Sequence, residues 1–190
     1  MKVIVVGSSS GGPRALEDLL SGLPADLQAA VIVIQHLPLT FTISLAERLS
    51  KLTKLPLTHM IDGEIIETNH IYIVPGDKHF FITSPDNESR LIDAHGLTHP
   101  SINMGFTSVA ECFGPETIGV ILTGMGDDGT VGAKAIKQVG GKVLAQDEAS
   151  SVVFGMPRAV QIAGFTDEVL PLDQIAHRLG QLTRKLHDRG

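Results

Sequence analysis

The sequence lacks tryptophan, and among its 190 residues it has one tyrosine, Tyr72, and one cysteine, Cys112. A single cysteine cannot form an intrachain disulfide, which fits a reducing compartment. With no tryptophan and one tyrosine, we do not expect an aromatic platform that stacks nucleic-acid bases. These absences point away from disulfide-rich secreted proteins and from single-strand nucleic-acid binders.

Long apolar runs and basic stretches are also missing. No segment approaches the roughly 20 apolar residues of a membrane helix, and Met1 and Lys2 lead into an apolar run too short for a signal peptide. The formal net charge is −6, without a broad basic stripe, which argues against a dedicated nucleic-acid binder. We therefore expect a soluble cytoplasmic protein without membrane insertion and without a nucleic-acid partner.

The most informative stretch is residues 3–6, which is followed by the glycine- and serine-rich residues 7–12 and by Pro13. Four β-branched apolar residues in a row predict a strand buried on both faces, as in the centre of a parallel sheet. Pro13 suits the first turn of a helix. Such a strand–turn–helix unit places small side chains and backbone N–H groups where open α/β sheets bind ligands.

The rest of the chain continues this alternation of strands and helices. Further buried strands are predicted at 31–34, 118–123 and 142–145, and helices at 15–20, 41–52, 102–113, 131–139 and 175–186, with a short helix after Arg158. Between them lie the short segments 71–74, 80–82 and 90–92, which indicate an antiparallel insertion or edge extension. Without a repeat or linker, residues 1–190 are expected to form one α/β domain.

Polar side chains follow three of the predicted strands directly: Ser9, His36 and the pair Asp127 and Asp128. If the first two strands are parallel, Ser9 and His36 lie on the same edge of the sheet. Serine needs a base to become a nucleophile; histidine commonly provides it, and a carboxylate orients the imidazole. Backbone N–H groups at the start of the first helix are placed to stabilise an oxyanion.

Other interpretations of the same residues stay open at this point. A Gly/Ser loop after a first strand is also typical of a phosphate or dinucleotide cradle, although neither G-x-G-x-x-G nor G-x-x-x-x-G-K-[ST] occurs. The run from Asp127 to Gly129 is also typical of a turn with a helix N-cap. We expect no metal site, because no H-x-x-x-H, C-x-x-C or EF-hand spacing is present.

Six motifs, taken together and in this order, are those of one known family. They are residues 6–12 (VGSSSGG), 35–38 (QHLP), 74–79 (VPGDKH), 120–129 (VILTGMGDDG), 145–150 (AQDEAS) and 153–157 (VFGMP). On these motifs, which span nearly the whole chain, the sequence resembles the catalytic domain of the CheB-type chemotaxis protein-glutamate methylesterases.

The resemblance implies that Ser9 is the nucleophile, His36 the base and Asp128 the orienting acid. The backbone at Ser10 and Met125 would contribute to oxyanion and substrate binding. The implied fold is a doubly wound, mostly parallel sheet with helices on both faces and an antiparallel hairpin at one edge. The implied reaction is hydrolysis of glutamate γ-methyl esters on chemoreceptor signalling domains, with deamidation of receptor glutamines as a second activity and no cofactor.

Two departures from the family's usual pattern bear on partners. The family usually carries an N-terminal receiver domain, whereas this chain starts at the catalytic strand, so we expect a receiver domain in another chain or a different control. Residues 99–106 also replace a typical Arg-Pro-Ser-Val-Asp-x-Leu-Phe stretch, with His99 for the Arg and Asn103 for the Asp. Asp127 stands where the family often has Asn, and Ser10 where it often has Thr.

The altered stretch motivates an alternative, a divergent methylesterase-like scaffold or binding module that has lost the receptor substrate. A nucleotide-binding domain that uses residues 7–12 is the second alternative.

Overall fold

The computed structural model describes residues 1–83, 86–94 and 100–184. The strands are β1 (Lys2–Ser8), β2 (Ala29–Gln35), β3 (Leu57–His59), β4 (Ile71–Ile73), β5 (Lys78–Thr83), β6 (Glu88–Asp93), β7 (Thr117–Ile121), β8 (Lys142–Gln146) and β9 (Glu168–Leu170). The helices are α1 (Gly12–Ser21), α2 (Leu39–Ser50), α3 (Ile102–Phe113), α4 (Thr130–Gln138), α5 (Met156–Ile162) and α6 (Leu172–Thr183), with a short 3₁₀ helix at Gly114–Glu116.

Within these residues, seven strands form one sheet in the order β3-β4-β2-β1-β7-β8-β9. Every neighbouring pair in it is parallel. Because all pairs are parallel, all seven strands end at the same edge. β2, β3 and β4 lie on one side of β1, and β7, β8 and β9 lie on the other, so the chain reverses its winding at β1. In sheets of this kind the crevice outside the carboxyl ends, at the point of reversal, is where ligands bind.

Both faces of the sheet are covered, as the side chains of β1 show. Ile4 and Val6 belong to an apolar cluster with side chains of α1, α2 and α6, while Val3 and Val5 belong to a second cluster with side chains of α3, α4 and α5. Successive strand residues point to opposite faces, and all four are fully buried. The predicted doubly wound sheet with helices on both faces is confirmed.

The predicted hairpin is partly confirmed and partly wrong. β5 and β6 pair antiparallel, with Phe81 opposite Arg90, and form a separate two-stranded sheet whose Phe80 packs in the cluster that contains Phe106 of α3. Residues 71–74 do not belong to it, because β4 pairs parallel to both β2 and β3. Their shortness suggested a hairpin, but Ile71, Tyr72 and Ile73 are all buried, as in an inner parallel strand.

The predicted helices 41–52 and 131–139, whose apolar spacing includes Phe41, Leu52 and Val131, are also wrong in detail. Phe41 of α2 is 59% exposed, Leu52 lies beyond the end of that helix, and Val131 of α4 is 63% exposed. The predicted end of the last helix falls partly on residues 185–190, which lie outside the described residues, as does His99. In the part of the chain that the structure describes, no helix combines the length and hydropathy of a membrane span.

Candidate active site

The turn after β1 holds Ser9 by both of its backbone polar groups. The Ser9 N–H donates to Thr123 O (3.0 Å), and the Ser9 carbonyl accepts from Gly12 N (2.8 Å) and Gln35 Nε2 (2.9 Å). The side chain is partly exposed at the carboxyl edge of the sheet. Backbone atoms held from both sides leave the hydroxyl with little freedom beyond its own rotation.

His36 follows β2 at the same edge. Ser8 stands opposite Gln35 in the parallel pair of β1 and β2, and the His36 N–H donates to Ser8 O (3.0 Å). Ser9 and His36 therefore directly follow the ends of two adjacent strands, whose axes lie about 4.8 Å apart. The prediction that these two residues share one edge of the sheet is confirmed.

The imidazole of His36 lies against the third strand end. Its Nε2 is 2.8 Å from Oδ2 of Asp128, with side-chain exposures of 8% and 22%. A carboxylate only accepts hydrogen bonds, so Nε2 of the neutral ring carries the proton and Nδ1 carries the lone pair. In this tautomer the ring has an acceptor nitrogen for a proton from an alcohol.

Asp128 receives three hydrogen bonds. Besides His36, the N–H of Ile102 donates to Oδ2 (2.8 Å) and the N–H of Asn103 to Oδ1 (2.9 Å). Both amides begin helix α3, where negative charge is stabilised. Burial by itself raises the pKa of the Asp128 carboxyl, but the bonds from His36, Ile102 and Asn103 outweigh it and the pKa lies below its ordinary value. Asp128 is thus held as a carboxylate.

Ser10 and Met125 lie on two loops that flank Ser9. The Ser10 carbonyl accepts from Thr123 Oγ1 (2.9 Å), and Met125, 70% exposed, follows Gly124, whose carbonyl accepts from Gly155 N and Met156 N. Among the described residues, neither the Ser10 N–H nor the Met125 N–H donates a hydrogen bond. Two such amides beside a serine are the kind of donor that an oxyanion requires.

Asp127 does not take part in this cluster. Its side chain is exposed, and its carbonyl accepts from Thr130 N in the turn before α4. The N-cap position itself is taken by Gly129 with φ 107°, in the left-handed region. The predicted turn before α4 and the carboxylate that contacts His36 therefore belong to the same loop, in which Asp128 faces His36 and Asp127 faces solvent.

Close approach of the loops depends on Gly124. A Cβ on Gly124 would lie 2.7 Å from Cβ of Ser9 and would also overlap the sulfur of Met156. Glycine is therefore the residue that lets the 124–129 loop pack directly on the serine.

Polar residues that the sequence does not mark as functional hold these loops. Thr123 Oγ1 donates to Ser10 O and accepts from Val153 N (both 2.9 Å), and Gln146 Oε1 accepts from Thr123 N (2.8 Å). Gln35 and Gln146 end β2 and β8, and both are fully buried. The sequence signal for these residues is a glutamine at the end of an apolar strand, because a buried carboxamide needs hydrogen-bond partners.

Metal ligands are not gathered anywhere in the ranges 1–83, 86–94 and 100–184: no three His, Cys, Asp or Glu side chains form a cluster that suits a metal ion. Cys112 is partly buried against the cluster on the α3 side of the sheet.

Comparison with known proteins points to one family. The family model described as CheB methylesterase matches residues 4–179. Protein-glutamate methylesterase/protein-glutamine glutaminase 4 of Hahella chejuensis is 42% identical over 182 residues, which cover 94% of this chain and 47% of that protein. A protein of the same description (number 2) from Methanosarcina mazei is 40% identical over 190 residues, covering 96% of this chain and 52% of that protein.

A solved structure, the CheB methylesterase catalytic domain of Thermotoga maritima, is similar over its length. It is 39% identical, with a TM-score of 0.90, and the alignment covers 95% of this chain and 98% of that chain. The chain spans about half the length of the curated relatives it matches. The match over residues 4–179 and the shared fold lead to one conclusion: this chain belongs to the CheB methylesterase family.

Proposed function

We propose that this chain hydrolyses glutamate γ-methyl esters on the cytoplasmic signalling domains of chemoreceptors, with Ser9 as nucleophile, His36 as base and Asp128 as orienting acid. The observation that carries the proposal is the 2.8 Å bond between His36 and Asp128 beside Ser9, at three adjacent strand ends. The relatives' names supply the substrate class. The proposal places the chain in the cytoplasm, where such receptor domains lie.

The reaction we propose has two steps. His36 Nδ1 takes the proton of the Ser9 hydroxyl while Ser9 Oγ attacks the ester carbonyl, and Asp128 stabilises the imidazolium that forms. The tetrahedral oxyanion accepts from the N–H groups of Ser10 and Met125. Collapse breaks the bond to the methoxy oxygen, methanol leaves with the proton from His36, and a γ-glutamyl ester of Ser9 remains.

Water completes the cycle. His36 deprotonates a water molecule that attacks the acyl-enzyme, and the Ser9 oxygen leaves with the returned proton, so the products are a glutamate side chain and methanol. The same steps release ammonia from a glutamine side chain, which is the second activity in the relatives' names. Removal of a triad member from such enzymes lowers the rate by several orders of magnitude.

We expect the loops that carry Met125 and Val152, beside the Ser9 turn, to contact the receptor. Met125 and Val152, both more than two-thirds exposed, are apolar, and Val152 packs over Gly11 beside the Ser9 turn. Exposed apolar side chains next to a reactive serine suit the hydrocarbon part of a methylated glutamate and its neighbours on a receptor helix.

The test is methanol release from a methylated receptor cytoplasmic fragment and, separately, from a small methyl ester. Wild type is expected to release methanol from both, Ser9→Ala from neither, and Ser21→Ala, a serine at the far end of α1, as fast as wild type. If wild type releases methanol from the small ester alone, the receptor is not the substrate and the chain is an esterase for another ester. Absence of turnover on both would make the chain a binding scaffold.

A further inference from the structure

Gln35 is the last residue of β2 and directly precedes His36, and its side chain makes three hydrogen bonds. Nε2 donates to the carbonyl of Ser9 (2.9 Å) and to the carbonyl of His36 (3.3 Å), and Oε1 accepts from Ser8 Oγ (2.5 Å). The side chain has no exposure to solvent. One carboxamide therefore contacts the backbone of both residues that must exchange a proton.

The orientation of this carboxamide follows from its partners. The carbonyls of Ser9 and His36 only accept hydrogen bonds, so the NH₂ group, with two hydrogens, faces them. Oε1 then faces the Ser8 hydroxyl, which donates. The opposite orientation would set an oxygen against two carbonyl oxygens in a buried site, where unsatisfied polar groups are costly. The carboxamide oxygen also fills the space that a Cβ on Gly12 would need, so the start of α1 packs on it.

Backbone hydrogen bonds also hold the Ser9 turn. The N–H of Ser9 is tied to β7 through Thr123 O, and its carbonyl to α1 through Gly12 N. The bond from Gln35 ties the same carbonyl to the end of β2, from which His36 projects. This bond adds a side-chain connection between the Ser9 turn and the end of β2, beyond the last pair of the β1–β2 ladder, Ser8 and Gln35.

From these contacts we infer that Gln35 is a positioning residue: its carboxamide sets the distance between the Ser9 hydroxyl and His36 Nδ1. The inference rests on the proposed function of these two residues. Gln35 touches neither substrate nor reacting atoms, and acts through the backbone of the residues that do. A misplacement of about 1 Å in such a pair can lower a rate about 100-fold.

The decisive variant is Gln35→Met, which keeps the length of the side chain and loses both hydrogens and the acceptor. We expect kcat for a small methyl ester to fall by at least about tenfold and up to about 100-fold, with KM within about twofold of wild type. Phosphonylation of Ser9 by a fluorophosphonate, in which fluoride leaves, should slow by the same factor. That second readout measures the nucleophile alone and does not depend on which ester is the substrate.

The matched control is Thr117→Val. Thr117 is as buried as Gln35 and its hydroxyl donates to Val109 O (3.3 Å), but it begins β7 at the opposite edge of the sheet. Its loss should lower the melting temperature while kcat and the labelling rate stay within about twofold of wild type. If kcat falls more in Gln35→Met than in Thr117→Val, the loss comes from positioning and not from a general loss of stability.

Ser8→Ala is the second variant, and it decides the outcome if Gln35→Met does not fold. It removes only the hydroxyl that orients the carboxamide, so kcat and labelling should each fall about threefold to tenfold, less than for Gln35→Met.

Unchanged kcat and labelling in every variant that folds would overturn the inference, while loss of activity in Ser9→Ala would leave the proposed function standing. If wild type turned over no ester, the proposed function would fail, and slower labelling of Ser9 in the Gln35 and Ser8 variants would still support the positioning role.

Discussion

Asp128 accepts hydrogen bonds at the start of the helix that carries Asn103, and Asn103 accepts hydrogen bonds at the start of the helix that follows Asp128. Asp128 accepts from the N–H groups of Ile102 and Asn103 at the start of α3, and Asn103 Oδ1 accepts from the N–H groups of Gly129 and Gly132 at the start of α4 (2.9 and 3.0 Å). The first turn of a helix has N–H groups without partners in the helix. The side-chain oxygens of Asp128 supply acceptors for those of α3, and the side-chain oxygen of Asn103 supplies an acceptor for those of α4. The position of Asp128 against His36 therefore depends on Asn103.

The first prediction concerns this reciprocal cap. Asn103→Ala should lower the free energy of unfolding by about 1 kcal/mol and lower kcat by about tenfold, because the loop that carries Asp128 is no longer held to α3. Asn103→Asp should restore both, since a carboxylate oxygen accepts the same two N–H groups and suits a helix N-terminus. Urea unfolding and methyl ester turnover measure the two effects; equal kcat for Asn103→Ala and wild type would contradict the dependence.

The second prediction separates the two adjacent aspartates. Asp128→Asn should lower kcat by about 10³–10⁴-fold, because an amide facing His36 Nε2 does not hold the imidazole in the tautomer that accepts a proton at Nδ1. Asp127→Asn is the matched control, one residue away and exposed, and should keep kcat within about twofold of wild type. Steady-state kinetics on a small methyl ester are sufficient, and comparable losses in the two variants would remove Asp128 from its role.

The third prediction is a pH dependence of stability. The pKa of Asp128 in the folded protein lies below its ordinary value of 3.8, so the folded state binds that proton less readily than the unfolded state does. The resulting stabilisation is fully present above the ordinary value and is lost as the pH falls through the folded pKa. The difference in unfolding free energy between wild type and Asp128→Asn should therefore be constant above about pH 5 and shrink below about pH 4. A difference that stays the same down to pH 3 would show that the carboxylate is not stabilised by its three partners.

The fourth prediction uses the contact between Gly124 and Ser9. Gly124→Ala should lower kcat by about 100-fold, because the added methyl group would displace Ser9 Cβ or the 124–129 loop. Gly180→Ala is the control: its Cβ would lie 3.4 Å from Pro24 Cγ, an ordinary contact, on α6. It should leave kcat unchanged and should not lower the melting temperature, since alanine favours a helix over glycine. Similar kcat losses in both variants would argue against close packing on Ser9.

Local pattern was sufficient for much of the fold. The apolar runs of β1, β2, β7 and β8 are long enough to identify buried parallel strands, and Ser101 caps α3 by accepting from Met104 N (3.2 Å). Three-residue strands carry too little pattern: β3 and β9 were not predicted, and β4 was assigned to the hairpin. Helical spacing also marks Val131 as a core position, although α4 presents it to solvent.

In the candidate site as well, one part follows from local pattern and another part does not. Ser9, His36 and Asp128 each follow a strand, so the parallel topology is enough to bring them to one edge. The supporting contacts join residues far apart in the sequence, such as Thr123 with Ser10, 113 positions apart, and no local pattern encodes such a pair. For the same reason, the sequence singles out Asn103 only for its bearing on partners, and its structural role is not visible there: its amide oxygen accepts from two N–H groups at the start of α4.

The most direct test of the role of Ser9 and His36 is where and how fast a fluorophosphonate reacts with the folded chain, read by mass spectrometry of the digested protein. We expect a single adduct on Ser9, formed about 100-fold or more slowly in His36→Gln and at the wild-type rate in His177→Gln, a variant of a histidine on the exposed face of α6. An adduct on another residue, or a rate on Ser9 that does not depend on His36, would contradict this role.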